Sequence, residues 1–160
     1  MKKALVISGG GSKGAFAGGV AQYLMTKEHR HYDLFLGTST GSLMVSHLAL
    51  GMLDELKFLY TNVRQESIFS NNPFVIKKVG GENVVTINHL NTLWNFLNGR
   101  KTFGESKNLR KLIKENVTRE MFESIKNNQK EVIVTVSNLT ANQIEYKSSN
   151  DCTYEDFCDW

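Results

Sequence analysis

Ser39 stands in the pentapeptide Gly37-Thr38-Ser39-Thr40-Gly41, and a serine framed by glycines at this spacing is suited to attack an ester carbonyl. Acyl transfer needs a hydroxyl that protrudes from the fold with backbone donors beside it, and a sharp strand-to-helix turn supplies both. The serine backbone is strained in such a turn. Side chains two residues to either side would collide with the strand and the helix, so Gly37 and Gly41 form the elbow around the nucleophile. At ordinary glycine usage this pattern arises by chance in about a few per hundred chains of this length, so the flanking sequence has to decide. Leu34-Phe35-Leu36 before it reads as a short buried strand, and Leu43 to Leu50 after it as an apolar helix. Free N–H groups and the dipole at that helix N-terminus favour the negative charge that develops during attack. The bland alternative is a Gly-rich β–α turn with a surface serine.

A second glycine loop, Gly9-Gly10-Gly11-Ser12-Lys13-Gly14, follows the apolar run Ala4-Leu5-Val6-Ile7-Ser8. Consecutive glycines let backbone N–H groups converge on an oxyanion, so Gly9, Gly10 and Gly11 are candidates for an oxyanion hole. Gly9, Gly11 and Gly14 also satisfy G-x-G-x-x-G between a strand and a helix, the dinucleotide-binding pattern. That reading wants an acidic residue after the second strand, whereas Asp33 precedes it and the strand runs into the serine turn. A phosphate-binding P-loop is excluded, because Gly14 is followed by Ala15 and not by lysine. Lys13 is a candidate to support a phosphate or the loop itself; its alternative is a solvated surface charge.

A Ser-His-Asp triad finds no support. His29 and His31 precede Ser39 in a polar linker, and His47 lies about 12 Å further along the helix axis. His89 sits between Asn88 and Asn91, and no histidine follows it to complete the order serine, acid, histidine. Cys152 and Cys158 lack the paired spacing of a zinc site and read as free thiols, so no metal is implied.

The elements that must position these residues follow a repeated strand, loop, helix grammar, which implies a parallel sheet with helices against it. Phe16, Val20, Tyr23 and Leu24 recur at helical spacing after the first loop, and Leu53, Leu56, Leu59 and Tyr60 line one face of a helix reaching Val63. Helical patterns also run from His89 to Leu97 and from Leu109 to about Ile125. Between Arg64 and Glu105 the pattern weakens, with Pro73, Gly80-Gly81 and Gly104 as breakers around Phe69, Phe74, Trp94, Phe96 and Phe103. These aromatics read as packing groups of an irregular insertion, with a lid or acyl-binding region as the alternative. Val132 to Val136 is a buried strand with Gln143 to Ser148 as its hairpin partner, and Thr153 with Asp156 predicts a capped helix start.

The chain has 160 residues, 41% hydrophobic and 22% charged, which suits one globular domain over 1–160. A net charge of +3, small and scattered, argues against nucleic acid but would not repel an anionic lipid surface. Ala4 to Ile7 is too short for a signal-peptide core, and no stretch approaches a membrane span, which points to a cytoplasmic protein.

In order and composition, Gly9-Gly10-Gly11-Ser12-Lys13-Gly14 followed by Gly37-Thr38-Ser39-Thr40-Gly41 resembles the patatin-like phospholipases, whose motifs read G-G-G-x-[RK]-G and G-x-S-x-G. The likeness is strong from Ala4 to Gly51; Tyr154 to Trp160 also looks like a family segment, more weakly. The resemblance implies a three-layer α/β/α fold with a mainly parallel sheet and a lipid acyl hydrolase working through a Ser-Asp dyad. It needs no cofactor, makes Ser39 the nucleophile, and makes Gly10 and Gly11 the oxyanion donors. Family members hold the aspartate in Asp-Gly-Gly or Asp-Gly-Ala. None of Asp33, Asp54, Asp151, Asp156 or Asp159 is followed by glycine. The expectation is therefore an N-terminal part of a patatin-like domain, weakly hydrolytic without its aspartate, with lipid acyl esters as substrate. Peripheral membrane contact is expected, as is self-association through uncovered apolar edges.

Overall fold

The computed structural model describes residues 2–68, 74–89, 93, 94, 97 and 107–160, apart from the side chains of 65 and 66. Two compact units emerge, one from residues 1–62 with 113–160 and one from 63–112.

The first unit is built on a four-stranded sheet in the order β1-β2-β5-β6, from β1 (Ala4–Ile7), β2 (Leu34–Thr38), β5 (Glu131–Asn138) and β6 (Gln143–Ser148). β1 pairs with β2 and β2 with β5 in parallel, while β6 returns antiparallel on β5. The sheet is mainly parallel, as expected. Its helices are α1 (Gly14–Thr26), α2 (Ser42–Ala49), α3 (Leu53–Asn62) and α6 (Arg119–Asn127), with the short α7 (Tyr154–Asp159) closing the chain. α5 (Lys107–Asn116) precedes α6, and its Ile113 packs on this unit's core.

Parallel strands laid down in chain order with right-handed crossovers place their connecting helices on one face of the sheet. Burial agrees. Leu5, Phe35 and Val132 share one row, and Ile7, Gly37 and Val134 the next, and these rows face a core of Met44, Val45, Leu48, Phe122 and Ile125. On the opposite face Val6 is 64% and Tyr146 67% exposed, with Ile144 beside them. The described residues of this unit thus form two of the three layers that the resemblance implies.

Two helices depart from the sequence pattern. The Phe16, Val20 and Tyr23 stripe of α1 faces outward, Phe16 at 79% exposure; the buried side is the small one, with Gly14 and Ala21. Small residues won that face because α1 lies close against its neighbours: a methyl added at Gly14 would stand 2.9 Å from Met44 Cε. The single helix expected from Leu109 to Ile125 is two. Thr118 interrupts it, its hydroxyl accepting from the Met121 N–H as the N-cap of α6. The capped start at Thr153 forms as expected, with Asp156 completing a capping box.

In the second unit β3 (Phe74–Val79) and β4 (Glu82–Ile87) form an antiparallel hairpin, and α4 (Gln65–Ile68) precedes it. The sequence pattern took Gly80-Gly81 only as a breaker. Both glycines have positive φ, 61° and 87°, the backbone a two-residue hairpin turn requires. The helical pattern from His89 to Leu97, and Phe69, Phe96 and Phe103, lie largely or wholly outside the described residues.

Candidate active site

Both glycine loops leave the carboxyl ends of adjacent parallel strands, where α/β sheets place their ligand sites. Ile7 and Gly37 are in register, so the two loops begin side by side. Gly11–Lys13 and Ser39–Gly41 each form one tight 3-10 turn before their helices.

The serine turn has the strain its chemistry requires. Ser39 has φ +54°, a left-handed conformation that costs a side-chain-bearing residue about 1–2 kcal/mol, and it is exposed. The flanking glycines allow no substitute. A Cβ on Gly37 would meet the Gly41 carbonyl and Ser42 N at 2.5 Å, and one on Gly41 would stand 2.3 Å from the Ile7 carbonyl oxygen. Gly41 is thereby wedged against the end of β1, which locks the two loops together. Ser42 Oγ donates to the Gly37 carbonyl at 2.9 Å, tying the start of α2 back to β2.

The first loop closes directly on the nucleophile. A Cβ on Gly9 would stand 2.8 Å from Ser39 Cβ and 3.4 Å from Ser39 Oγ. Gly10 and Gly11 follow in the exposed turn, and Gly11, with φ +57° and nothing near its missing side chain, is glycine for its backbone. Lys13 is exposed at the turn's end, its N–H donating to the Gly10 carbonyl at 3.1 Å. All of Gly9, Gly10, Gly11, Lys13, Gly37, Ser39 and Gly41 therefore gather at one end of the sheet.

The alternative partners lie elsewhere. Asp33 is at the opposite end of β2, its carboxylate accepting from the Lys3 N–H at 2.8 Å, which holds it below the usual carboxylate range. An acid there cannot serve a ribose bound at the glycine loop. His47 is 3% exposed inside α2, and burial pushes its imidazole below the ordinary value, with Glu55 pulling partly the other way. Its Nδ1 is buried with no hydrogen-bond partner among the described residues. Ser39 likewise has no side-chain hydrogen-bond partner among them, so no general base among the described residues is in place on its hydroxyl. Cys152 and Cys158 are free thiols, and no group of three metal-ligating side chains occurs among the described residues.

The sequence pattern counted Tyr60 only as part of an apolar face. Its hydroxyl donates to the Thr40 carbonyl at 2.9 Å, and burial pushes its ionisation up to about 12. The available signal was chemical: a tyrosine on a core-facing helix side must find a partner for its hydroxyl. Beside it a mainly apolar cavity of about 200 Å³ opens between α1 and α3, lined by Ala15, Gly18, Leu53, Leu56 and Tyr60 among others.

No helix among the described residues is long and apolar enough to cross a membrane. Neither a curated protein nor a solved structure matches the chain. The model of the patatin-like phospholipase family matches residues 5–160, through both glycine loops and on to the last helix. With the fold and that match together, the chain belongs to the patatin-like phospholipases, a family of lipid acyl hydrolases.

Proposed function

We propose that the protein is a serine lipid acyl hydrolase of phospholipase A, lysophospholipase or esterase type, in which Ser39 is the nucleophile. The observation that carries this is the closure of Gly9 on Ser39, with an added methyl 2.8 Å from the serine Cβ. It puts the glycine loop's backbone beside a hydroxyl held in a strained, exposed turn. Ser39 Oγ attacks the ester carbonyl and gives its proton to a base, and the Gly10 and Gly11 N–H groups receive the oxyanion. The alkoxide leaves with the proton as alcohol, and water then cleaves the acyl-serine. The base is an aspartate of an Asp-Gly sequence outside residues 1–160, because none of the five aspartates within them is followed by glycine. Residues 1–160 then form the N-terminal part of one patatin-like domain, with weak hydrolysis when that aspartate is missing.

Peripheral membrane contact is supported by the outward Phe16, Val20 and Tyr23 stripe, which starts three residues after Lys13. The Val132 strand expected to expose an open edge is instead flanked by β2 and β6, and it is the open sheet face around Val6 and Tyr146 that supports self-association. Free thiols at Cys152 and Cys158 support a cytoplasmic location.

Turnover of a p-nitrophenyl acyl ester by the chain extended through a downstream Asp-Gly sequence tests this, with Ser39→Ala as control. Turnover that the substitution leaves unchanged contradicts the reading. Saturable NAD binding that Gly11→Val abolishes would favour a nucleotide site instead.

A further inference from the structure

We propose that Tyr60 is a positioning residue for Ser39: its hydroxyl, donated to the Thr40 carbonyl, pins the Thr40–Gly41 peptide one residue beyond the nucleophile. The inference rests on the hydrolase reading above. Thr40 is held from two sides. On one, a Cβ on Gly14, the last residue of the first glycine loop, would stand 3.1 Å from Thr40 Oγ1. On the other, Tyr60 Oη reaches across from α3 to within 2.9 Å of Thr40 O. α1 thus lies close against the residue next to Ser39, and α3 bonds it directly.

Such a grip has work to do because Ser39 holds φ +54°. A side-chain-bearing residue in that conformation relaxes unless its surroundings over-determine it. Gly37 and Gly41 admit the turn by being small, and Ser42 Oγ anchors its helix side on the Gly37 carbonyl at 2.9 Å. The Ser42 N–H closes the turn on the Ser39 carbonyl, and Tyr60 adds a side-chain bond from α3 on the Thr40 carbonyl between them. Engaging that carbonyl also polarises the peptide it shares with the Gly41 N–H, at the positive end of α2. A tyrosine is protonated throughout the neutral range, and burial pushes this one further up, to about 12, so its O–H is available to donate there.

Tyr60→Phe keeps the ring and removes only the donor. Amide hydrogen exchange of the 160-residue chain is expected to speed about fivefold at Thr40, Gly41 and Ser42, with Val132 and Val134 in β5 unchanged. In parallel, fluorophosphonate labelling of Ser39 is expected to slow by a similar factor. Equal acceleration in the elbow and in β5 would reduce Tyr60 to a general stability role and overturn the proposal. So would unchanged elbow exchange, or labelling as fast as in the wild type. If the wild type extended through a downstream Asp-Gly sequence does not label at all, the hydrolase reading fails on its own and the exchange data still decide whether Tyr60 holds the turn. Should Tyr60→Phe not fold, the wild-type hydroxyl proton carries the test: the Thr40 bond predicts a proton protected from water in nuclear magnetic resonance, and rapid exchange overturns it.

Discussion

A methyl group on Gly9 would lie 2.8 Å from Cβ of Ser39, so the glycine loop and the serine turn are in contact at the point where chemistry is proposed. Gly9→Ala must push one loop off the other. Misplacement by about 1 Å at a reacting centre costs on the order of a hundredfold in rate. Fluorophosphonate labelling of Ser39 is therefore expected to fall about a hundredfold while circular dichroism stays native. A wild-type labelling rate in Gly9→Ala would show that the loop does not shape the site.

Ser39→Gly separates strain from function. Glycine adopts φ +54° freely, so the variant is expected to be more stable by about 1 kcal/mol in urea unfolding, and inert to the probe. A destabilised Ser39→Gly would mean that the turn is not strained at this residue.

Gly41→Ala is the opposite case. Its Cβ would overlap the Ile7 carbonyl oxygen at 2.3 Å and its carbon at 3.0 Å, backbone atoms of β1 that cannot swing away as a side-chain end could. Overpacking of this kind costs about 3 kcal/mol or more, a large share of a small domain's stability. A melting temperature within 2–3 °C of wild type, roughly what a negligible change gives, would contradict the wedge at the end of β1.

How far the site could be read from sequence depended on whether backbone or side chain made it. Gly37, Ser39 and Gly41 announced the elbow because a strained turn leaves few residue choices, and the strands on either side were short unbroken apolar runs. Tyr60 was not legible as a partner, since a hydrogen bond to a carbonyl twenty residues away leaves no periodic trace. The α1 stripe predicted the helix but not which side of it is buried. Phe16, Val20 and Tyr23 have helical spacing, but Gly14 and Ala21 took the inner face because close helix approach rewards small residues. Thr118 could have been read as a cap, and Gly80-Gly81 as a hairpin turn. Both were outweighed by the apolar period or the irregular composition around them.

The buried His47 predicts a pH effect. Its folded-state pKa lies below the unfolded value of 6.5, so the unfolded chain binds more protons as pH falls through that region. Stability from this group is present above about pH 6.5 and declines toward the lower folded pKa. Urea midpoints should fall between about pH 6.5 and 5, above the carboxylate range, and His47→Leu should flatten that slope. An unchanged slope would mean that His47 charges freely inside α2.

The outward stripe of α1 predicts a separable membrane effect. Phe16→Glu is expected to weaken binding to anionic vesicles at least severalfold, since a buried aromatic contributes about 1.5–3 kcal/mol. Labelling of Ser39 by a water-soluble probe should stay unchanged. Equal vesicle binding by both forms would exclude this stripe as the contact.

Ser39 is proposed as the acyl-accepting nucleophile. The most direct test of that role is mass spectrometry of the fluorophosphonate-treated chain, extended through a downstream Asp-Gly sequence. The expected result is a single adduct on the peptide carrying Ser39, lost in Ser39→Ala and formed at least tenfold more slowly when that aspartate is replaced by asparagine. An extended protein with no adduct on Ser39, or one whose adduct survives Ser39→Ala, would contradict it.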